Sequence, residues 1–328
     1  YTLTDQGGGI GAVQLRLNDK LVEGRANPPR PGLNTHRVPL PPGRVKLKLT
    51  AYGRSGLVAS IPAQLELEGA ATSEAPTLHL LAVGISAYQD RTLQQGVRFA
   101  AGDATAFRDA LMAAGRAPTT RVAEPVLLTD AQATGDGIRA ALRAMAGRVR
   151  RGDLFVLYMA GHGTATIQGD YTFLPQDFHY RNSDSLREGL GGEELSTLLS
   201  RINSNKTVVV LDTCSSGKFS LPARSLGEKV AINRLADMSG EVVFAATSDE
   251  RLALENPDSQ RGIYTGALLR ALAGQADVDR DGMVGVREAA DFVEKEVIRI
   301  SMQLFGYRQV PIFNSNGQNF PFSRSGQR

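Results

Sequence analysis

The chain contains one cysteine, Cys214, which follows directly on a run of apolar and β-branched residues. Residues Thr207 to Leu211 show no polar alternation, and such a run is typical of a strand buried on both faces of a parallel sheet. In open α/β sheets the ligand crevice lies at the carboxyl ends of the strands, so Cys214 is predicted to lie where chemistry is usually done. A lone cysteine is more often a small buried hydrophobe, and this alternative holds unless a second reactive group accompanies it.

A second apolar strand also ends in a reactive side chain. Residues Asp153 to Ala160 are apolar and aromatic, and the turn that follows holds His162 between Gly161 and Gly163. If the two strands are neighbours, Cys214 and His162 face each other across one crevice as the nucleophile and base of thiol acyl transfer. The flanking glycines let a substrate backbone come close, and they leave the Gly163 amide, with that of Cys214, able to bind a developing oxyanion.

At these residues the chain resembles the superfamily of caspases, metacaspases and bacterial orthocaspases, which are cysteine peptidases. The histidine motif of the superfamily, a hydrophobic strand followed by Ser/Ala-Gly-His-Gly, matches Ala160 to Gly163. Its nucleophile motif, Asp-x-Cys-x-Ser-Gly, matches Asp212 to Gly217, and the resemblance extends over roughly Leu78 to Phe322. Two departures are Ser215, where eukaryotic metacaspases usually carry histidine, and Ala160, where many carry serine. Neither departure touches the dyad, so the resemblance implies a caspase-like fold and peptidase chemistry that needs no cofactor.

The resemblance also implies a substrate specificity. In metacaspases and orthocaspases two aspartates line the primary specificity pocket, and the matching positions here are Asp103 and Asp212. The implied substrates are proteins or peptides with arginine or lysine before the cleaved bond, because carboxylates give a guanidinium charge-assisted contacts. Two structural alternatives stay open, a helix N-cap for Asp103 and a turn-stabilising carboxylate for Asp212.

The loop after the nucleophile is where members of the family are cut during activation. Here residues 218–226 hold Lys218 and Arg224 among serine, proline and glycine, which is the composition of an exposed and cleavable segment. We therefore expect a zymogen that processes itself after one of these two residues, against the alternative of an ordinary surface loop. An upstream activating protease or a regulatory domain is a further expected partner.

A second constellation of functional residues comes late in the chain. Residues Asp277 to Glu288 read DVDRDGMVGVRE, with carboxylates at loop positions one, three, five and twelve and glycine at position six. This is the pattern of a twelve-residue calcium loop, and helices predicted over 262–273 and 286–300 supply the flanking context. An acidic turn without an ion is the alternative. The expected calcium ligands are the carboxylates of Asp277, Asp279, Asp281 and Glu288 and the carbonyl of Met283.

The composition of the chain limits the classes of protein to which it can belong. A net charge of +3 over 328 residues, with acids and bases well mixed, does not indicate a nucleic-acid-binding surface. One cysteine excludes an internal disulfide framework and suits a reducing compartment, and no apolar run approaches the length of a membrane span. We therefore expect a cytoplasmic prokaryotic protein. The chain begins at Tyr1 rather than at methionine, which suggests an excerpt of a longer polypeptide and leaves export open.

Two domains are predicted from a change in patterning. Residues 12–21, 44–52 and 57–68 alternate with period two between proline and glycine clusters, so residues 1–75 are interpreted as a small β-sandwich of immunoglobulin-like character. From residue 76 to 328, strands alternate with helices predicted over 103–114, 137–148, 193–202 and 229–237. This order predicts an α/β fold with a mostly parallel, caspase-like sheet flanked by helices.

Two rival functions stay open beside a cysteine endopeptidase. One is a catalytically silent, caspase-like module that binds peptides without cutting them, and an intact dyad argues against it. The other is a calcium-responsive interaction module in which the β-domain makes the contacts.

Overall fold

A computed structural model gives the structure of the protein over most of its length. The described residues are 1–18, 20–23, 29–38, 40, 43–70, 75–114, 121–166, 169–214, 225–239, 241–246, 254–315 and 319–325. They divide into two units between residues 74 and 75. None of the helices within these ranges is both long enough and apolar enough to cross a lipid bilayer.

The first unit consists of short antiparallel strands. These are β1 (Thr2–Leu3), β2 (Ile10–Leu17), β3 (Lys20–Glu23), β4 (Gly32–Leu33), β5 (Gly43–Gly53) and β6 (Ala63–Gly69). Four of them form a sheet in the order β3-β2-β5-β6, and β1 pairs with β4. The immunoglobulin-like character of this unit stays an interpretation.

Two strand predictions in this unit are wrong in their bounds. Residues 12–21 form not one strand but parts of β2 and β3, because Asn18 has a φ of 49° and turns the chain between them. Asparagine tolerates this left-handed conformation better than most residues. The strand predicted over 57–68 begins only at Ala63, directly after Pro62, since proline has no amide to donate to a ladder.

The second unit is built on a mixed, mostly parallel sheet flanked by helices, which confirms the predicted fold class. Its strands are β7 (Thr77–Gly84), β8 (Arg121–Val122), β9 (Val126–Thr129), β10 (Leu154–Ala165), β11 (Tyr171–Phe173), β12 (Leu190–Gly191), β13 (Lys206–Cys214), β14 (Val242–Ala245), β15 (Glu255–Asn256), β16 (Arg261–Gly262), β17 (Met283–Gly285), β18 (Ile312–Asn314) and β19 (Pro321–Arg324). Its helices are α1 (Ala100–Ala114), α2 (Gly135–Arg148), α3 (Gly192–Ser200), α4 (Ser225–Ser239), α5 (Ile263–Arg270) and α6 (Val286–Phe305).

The strands that carry the two reactive residues are neighbours in the middle of this sheet. Strand β10 pairs in parallel with β7 on one side and with β13 on the other, and β13 pairs in parallel with β14. The antiparallel strand β18 lies beside β14. Strand β10 extends beyond the end of β7, and its last residues pair with the antiparallel β11. The central strands are buried and apolar without alternation, as expected of a sheet covered on both faces.

The helices follow the predictions with shifted ends. Helix α1 begins at Ala100, ahead of the predicted start at Asp103, because two alanines extend it. Helix α4 begins at Ser225, inside the segment predicted as a loop. Helix α5 ends at Arg270. A π-helical turn follows directly over Ala271–Gln275, and within it Gly274 has a φ of 94°.

Candidate active site

His162 and Cys214 lie beside each other at the carboxyl ends of β10 and β13. The register of these parallel strands ends with the pair His162 and Cys214. Paired strands lie about 4.8 Å apart, so the backbone brings the two residues to neighbouring positions. His162 is fully buried. Residues 215–224, which include the predicted cleavage points Lys218 and Arg224, are outside the described residues.

A backbone carbonyl selects the tautomer of the imidazole. Nε2 of His162 lies 2.7 Å from the carbonyl oxygen of Leu93, which ends the short 3-10 turn Arg91–Leu93. A carbonyl oxygen only accepts hydrogen bonds, so Nε2 carries the hydrogen and Nδ1 of the neutral ring is the basic nitrogen. In this tautomer Nδ1 is the ring nitrogen that is able to accept a proton.

Tyr88 holds the backbone of His162, and no sequence motif marks this tyrosine. Its hydroxyl accepts a hydrogen bond from the His162 amide at 2.8 Å and donates one to the Leu174 carbonyl at 3.1 Å. The hydroxyl thus stands between an amide of β10 and the carbonyl that follows β11. The Tyr88 and His162 rings also lie against each other, with centroids 5.1 Å apart.

Gly161 allows this arrangement. Its φ is 149°, which favours glycine, and a Cβ at this position would lie 2.7 Å from the Tyr88 hydroxyl oxygen. A larger residue at this position would have to displace the Tyr88 side chain. The glycine predicted to let a substrate come close is therefore needed first for the packing behind His162.

Gly163, the predicted oxyanion donor, continues β10 beyond the histidine. It pairs with Phe173 of β11, and a Cβ here would lie 2.8 Å from both Oγ1 of Thr213 and the hydroxyl oxygen of Tyr171. Close packing against the residue before Cys214 therefore also requires glycine. The binding of an oxyanion by the Gly163 and Cys214 amides stays a prediction.

Asp103 and Asp212 converge on one glycine. A Cβ built on Gly262 would lie 3.0 Å from Oδ2 of Asp103 and 3.2 Å from Oδ2 of Asp212. The first aspartate comes from α1 and the second from β13, and they are only 3% and 8% exposed. Two distant segments thus bring both predicted specificity residues to the same point.

The hydrogen bond of Asp103 contradicts its structural alternative. Asp103 does not cap α1, because the helix begins before it and its Oδ2 accepts the Gly262 amide at 2.8 Å. Oδ2 of Asp212 accepts the Thr265 hydroxyl at 2.5 Å, and the turn that this aspartate was predicted to stabilise lies outside the described residues. The Thr265 hydroxyl lies in turn 2.6 Å from that of Tyr158. Residues of β16 and α5 therefore position the carboxylates.

The hairpin of β15 and β16 adds two charged residues that no motif in the sequence marks. Glu255 accepts hydrogen bonds from the Phe99 amide at 3.1 Å and from Nε of Arg98 at 3.2 Å. Arg261 places Nη1 at 3.7 Å from Oδ1 of Asp103. The cluster near Gly262 therefore contains three carboxylates and the guanidinium groups of Arg98 and Arg261.

A cavity lies between these carboxylates and the end of β10. It is small and partly open to solvent, and its walls include Asp103, Asp212, Glu255 and Gly161. Because Gly161 precedes His162, the cavity adjoins that histidine. A side chain in this cavity would meet acidic groups close to His162.

Burial changes the titration of the two aspartates. Burial and then the charge of Asp212 raise the pKa of Asp103 to about 8, although the Gly262 amide and the Arg261 charge act in the opposite direction. Burial raises the pKa of Asp212 to about 6, against hydrogen bonds from Thr265 and Tyr158. Adjacent buried carboxylates resist ionising together, so a cationic group in the cavity would favour their charged forms.

The predicted calcium loop lies between α5 and α6. Asp277, Asp279 and Asp281 each offer a carboxylate oxygen, and these oxygens lie within 4.8 Å of one another. Arg280 and Gly282 have φ values of 62° and 85°, which turn the loop sharply. The fit to a cation is good at Asp277, whose Oδ1 is shielded from water and has no hydrogen-bond donor among the described residues.

The other two predicted calcium ligands are the carboxylate of Glu288 and the carbonyl of Met283. Glu288 lies outside the group of three aspartates, and its carboxylate accepts hydrogen bonds from the Val278 amide at 3.2 Å and the Gly285 amide at 2.8 Å. It therefore caps the start of α6. Met283 lies in β17, which pairs with β19, and its amide donates to Oδ1 of Asp281 at 2.8 Å.

Comparison with known proteins gives one family match. The family model of the caspase domain matches residues 78–323, well over half of the chain. No curated protein matches the chain. Among solved structures, a crystal structure of a protein from Geobacter sulfurreducens is similar at 18% sequence identity and a TM-score of 0.48, over 73% of this chain and 92% of that one.

Proposed function

Because the chain belongs to the caspase domain family of cysteine peptidases, we propose that it is an endopeptidase with Cys214 as nucleophile and His162 as base. The observation that carries the proposal is the register of β10 and β13, which pairs these two residues at the carboxyl ends of adjacent strands. The hydrogen bond from Nε2 to the Leu93 carbonyl supports it, since Nδ1 is then the basic atom.

The reaction follows from these positions. Nδ1 of His162 takes the proton of the Cys214 thiol, and the thiolate attacks the scissile carbonyl carbon. The amides of Gly163 and Cys214 stabilise the oxyanion of the tetrahedral intermediate. When the carbon–nitrogen bond breaks, the imidazolium returns its proton to the leaving amine. Water then hydrolyses the thioester and restores the thiol.

The specificity of this peptidase is for arginine or lysine before the cleaved bond. The support is the acidic cavity beside Gly161, where Asp103, Asp212 and Glu255 are all partly or wholly buried. A guanidinium or ammonium group supplies the positive charge that stabilises ionised carboxylates there, whereas an acidic side chain would add to their repulsion.

Self-processing after Lys218 or Arg224 is the corresponding activity on the chain itself. Both residues are basic and follow Cys214 closely in the sequence. Cleavage by a second molecule would remove the need for the segment to reach its own active site. A zymogen of this kind would gain activity with incubation time and with protein concentration.

Peptides that differ only in the residue before the cleaved bond test the function and its specificity. We expect cleavage after arginine and lysine, with kcat/KM at least about 30-fold lower for aspartate, because an unsatisfied buried charge pair costs roughly 2 to 5 kcal/mol. Cys214→Ala and His162→Ala should be equally inactive, and the double variant hardly worse. Turnover by folded Cys214→Ala would contradict the dyad, and equal cleavage after aspartate and arginine would contradict the specificity.

Calcium binding at Asp277, Asp279 and Asp281 is a second proposed property. The buried Oδ1 of Asp277 favours it, since a carboxylate oxygen without a donor is a ready cation ligand. Calcium at 100 times its dissociation constant should stabilise the fold by about 2.7 kcal/mol, seen as a rise in Tm that a chelator reverses. Asp277→Asn should lose this rise, while Asp291→Asn on the exposed face of α6 should keep it. A Tm that does not respond to calcium would contradict this property.

A further inference from the structure

Arg261 and Asp103 form an incomplete ion pair beside the specificity cavity. Their closest atoms, Nη1 and Oδ1, are 3.7 Å apart, which is too long for a hydrogen bond. Both atoms are shielded from water, and within the described part of the chain neither has a hydrogen-bond partner. A buried oxygen and a buried N–H that lack partners both cost free energy, so this pair is held together by charge alone.

Arg261 does not fill the cavity. The described residues that line it include Asp103 and Glu255 but not Arg261, so the guanidinium approaches Asp103 without occupying the space a substrate side chain would enter. Asp103 can therefore contact Arg261 and a substrate cation at the same time.

The three carboxylates of the cluster are stabilised in different ways. Glu255 has the Arg98 guanidinium at 3.2 Å, and Asp212 has the Thr265 hydroxyl at 2.5 Å. Asp103 has the Gly262 amide and, as its only ion-pair partner in the described ranges, Arg261. The titratable and charged groups around Asp103 are Asp212 of β13, Glu255 of β15, Arg261 of β16 and the buried phenol of Tyr158 in β10, while the buried phenol of Tyr264 in α5 interacts with Asp212.

We propose that Arg261 is a positioning residue of the specificity pocket, a resident counter-ion whose charge eases the loss of the Asp103 proton when a substrate cation enters. This inference rests on the proposed peptidase function and identifies a residue that sets its specificity. With Arg261 in place, Asp103 is partly ionised near neutral pH, and an entering cationic side chain completes its ionisation at little cost. Without Arg261, the repulsion from Asp212 and Glu255 holds the proton on Asp103 more tightly, so its displacement weakens substrate binding.

The expected effect is a shift of a pH profile. An opposite charge within about 4 to 6 Å lowers the pKa of an aspartate by roughly 1 to 3 units, so its removal raises the pKa by the same amount. In Arg261→Gln, the pH below which KM for an arginine peptide rises should move upward by roughly 1 to 3 units. Arg261→Lys should restore the wild-type profile, and kcat at saturating peptide should be similar in all variants.

Arg108→Gln is the matched control. Arg108 lies on the same helix as Asp103, but its partner is the exposed carboxylate of Asp109. Arg108→Gln also removes one positive charge, but at a site outside the pocket. The dependence of its KM on pH should therefore follow that of the wild type. A profile for Arg261→Gln that coincides with the wild type would overturn the inference. So would a lower KM in Arg261→Gln, since Arg261 would then act as a competitor of the substrate.

Binding without turnover separates this inference from the proposed function. In the Cys214→Ala background, calorimetry with acetyl-arginine amide at pH 7 and pH 9 reports the pocket alone. Binding at pH 7 that is at least about 10-fold weaker when Arg261 is also replaced by glutamine supports the inference, because a rise of one pKa unit lowers the ionised fraction of Asp103 tenfold. Binding that is equal with and without Arg261 overturns the inference and leaves the specificity pocket standing. If the amide does not bind at either pH and the wild type cleaves no arginine peptide, the proposed function fails and the inference fails with it.

Discussion

At the scale of single residues, His162 is held by backbone and phenol groups. Its ring donates to the Leu93 carbonyl, its amide donates to the Tyr88 hydroxyl, and its carbonyl accepts from the Leu174 amide at 2.9 Å. A main-chain carbonyl thus does what an aspartate does in a catalytic triad, which is to fix the tautomer and orientation of the imidazole.

The first prediction concerns the Tyr88 hydroxyl. Tyr88→Phe leaves the buried His162 amide and Leu174 carbonyl without the bridging group, at a cost of roughly 1 to 3 kcal/mol in the free energy of unfolding. We expect kcat to fall while KM for an arginine peptide changes little, because the specificity cavity is intact. Tyr52→Phe, which removes a hydroxyl bonded to Gln14 in the first unit, is the control. Unchanged kcat in Tyr88→Phe would show that the hydroxyl does not position the histidine.

The second prediction concerns pH and stability. The folded-state pKa values of Asp103 and Asp212, about 8 and about 6, lie above the ordinary 3.8 of an aspartate. The folded state therefore binds more protons than the unfolded state between these values, and the free energy of unfolding falls as pH rises from about 4 to about 8. Asp212→Asn removes one of these titrations and the charge that raises the other, so the fall should be smaller.

Urea unfolding at pH 5 and pH 8 measures this effect. The loss of stability between the two pH values should be at least about 1 kcal/mol smaller in Asp212→Asn than in the wild type, since one pKa unit corresponds to about 1.4 kcal/mol. Asp136→Asn, which changes a fully exposed aspartate on α2, should keep the wild-type slope. If Asp212→Asn has that same slope, the raised pKa values are wrong.

At the scale of elements, β10 changes its partner at the histidine. Up to Ala160 it pairs with β7, and from Gly163 it pairs with the antiparallel β11. The change falls at Gly161, where the φ of 149° and the absence of a side chain make room for the Tyr88 hydroxyl. One strand thus presents His162 at the point where the parallel ladder ends and the cavity begins.

The third prediction tests this change of partner. Gly161→Ala puts a methyl group 2.7 Å from the Tyr88 hydroxyl oxygen and places a non-glycine residue at an unfavourable φ. We expect a loss of roughly 1 to 3 kcal/mol in the free energy of unfolding, together with a fall in kcat. Gly147→Ala in α2 adds a methyl group where no atom lies within 4 Å, and it should raise stability by about 0.5 to 1 kcal/mol. Equal stabilities of the two variants would contradict this reasoning.

At the scale of the whole molecule, the proposed cleavage points lie between two paired strands of the central sheet. Strand β13 precedes residues 215–224 and β14 follows them, and the two pair in parallel from Val208 with Val242 to Leu211 with Ala245. A cut after Lys218 or Arg224 would therefore separate the chain without separating the sheet.

The fourth prediction is that the processed protein stays assembled. After self-cleavage, a denaturing gel should show two fragments, while size-exclusion chromatography without denaturant should show one species that contains both. The buried pairing of β13 with β14 should hold the two fragments together more firmly than a small number of exposed contacts would. Cys214→Ala should stay intact, and replacing both Lys218 and Arg224 by glutamine should prevent the cut in an active enzyme. Fragments that elute separately would contradict the prediction.

The sequence by itself determined the fold class and placed each of the two reactive residues at the end of a buried strand, whereas the pairing of these strands came from the structure. A strand buried on both faces must be apolar along its length, so β10 and β13 can be recognised from their apolar runs. The histidine and the cysteine follow these runs. The family match over residues 78–323 confirms the resemblance carried by the two short motifs. Helix positions followed from periodicity, whereas helix ends and the strands around Asn18 and Pro62 depended on single residues.

Only the tertiary structure decided what surrounds the dyad. The Leu93 carbonyl is a backbone group with no residue-type signature, and Tyr88, Glu255 and Arg261 lie in irregular stretches or very short strands. The sequence left Asp103 open as a helix cap, and the contact with the Gly262 amide, 159 residues away in the chain, excluded that role. Contacts of this kind depend on how distant segments pack, and local pattern carries no record of them because it reports only the burial of neighbouring residues.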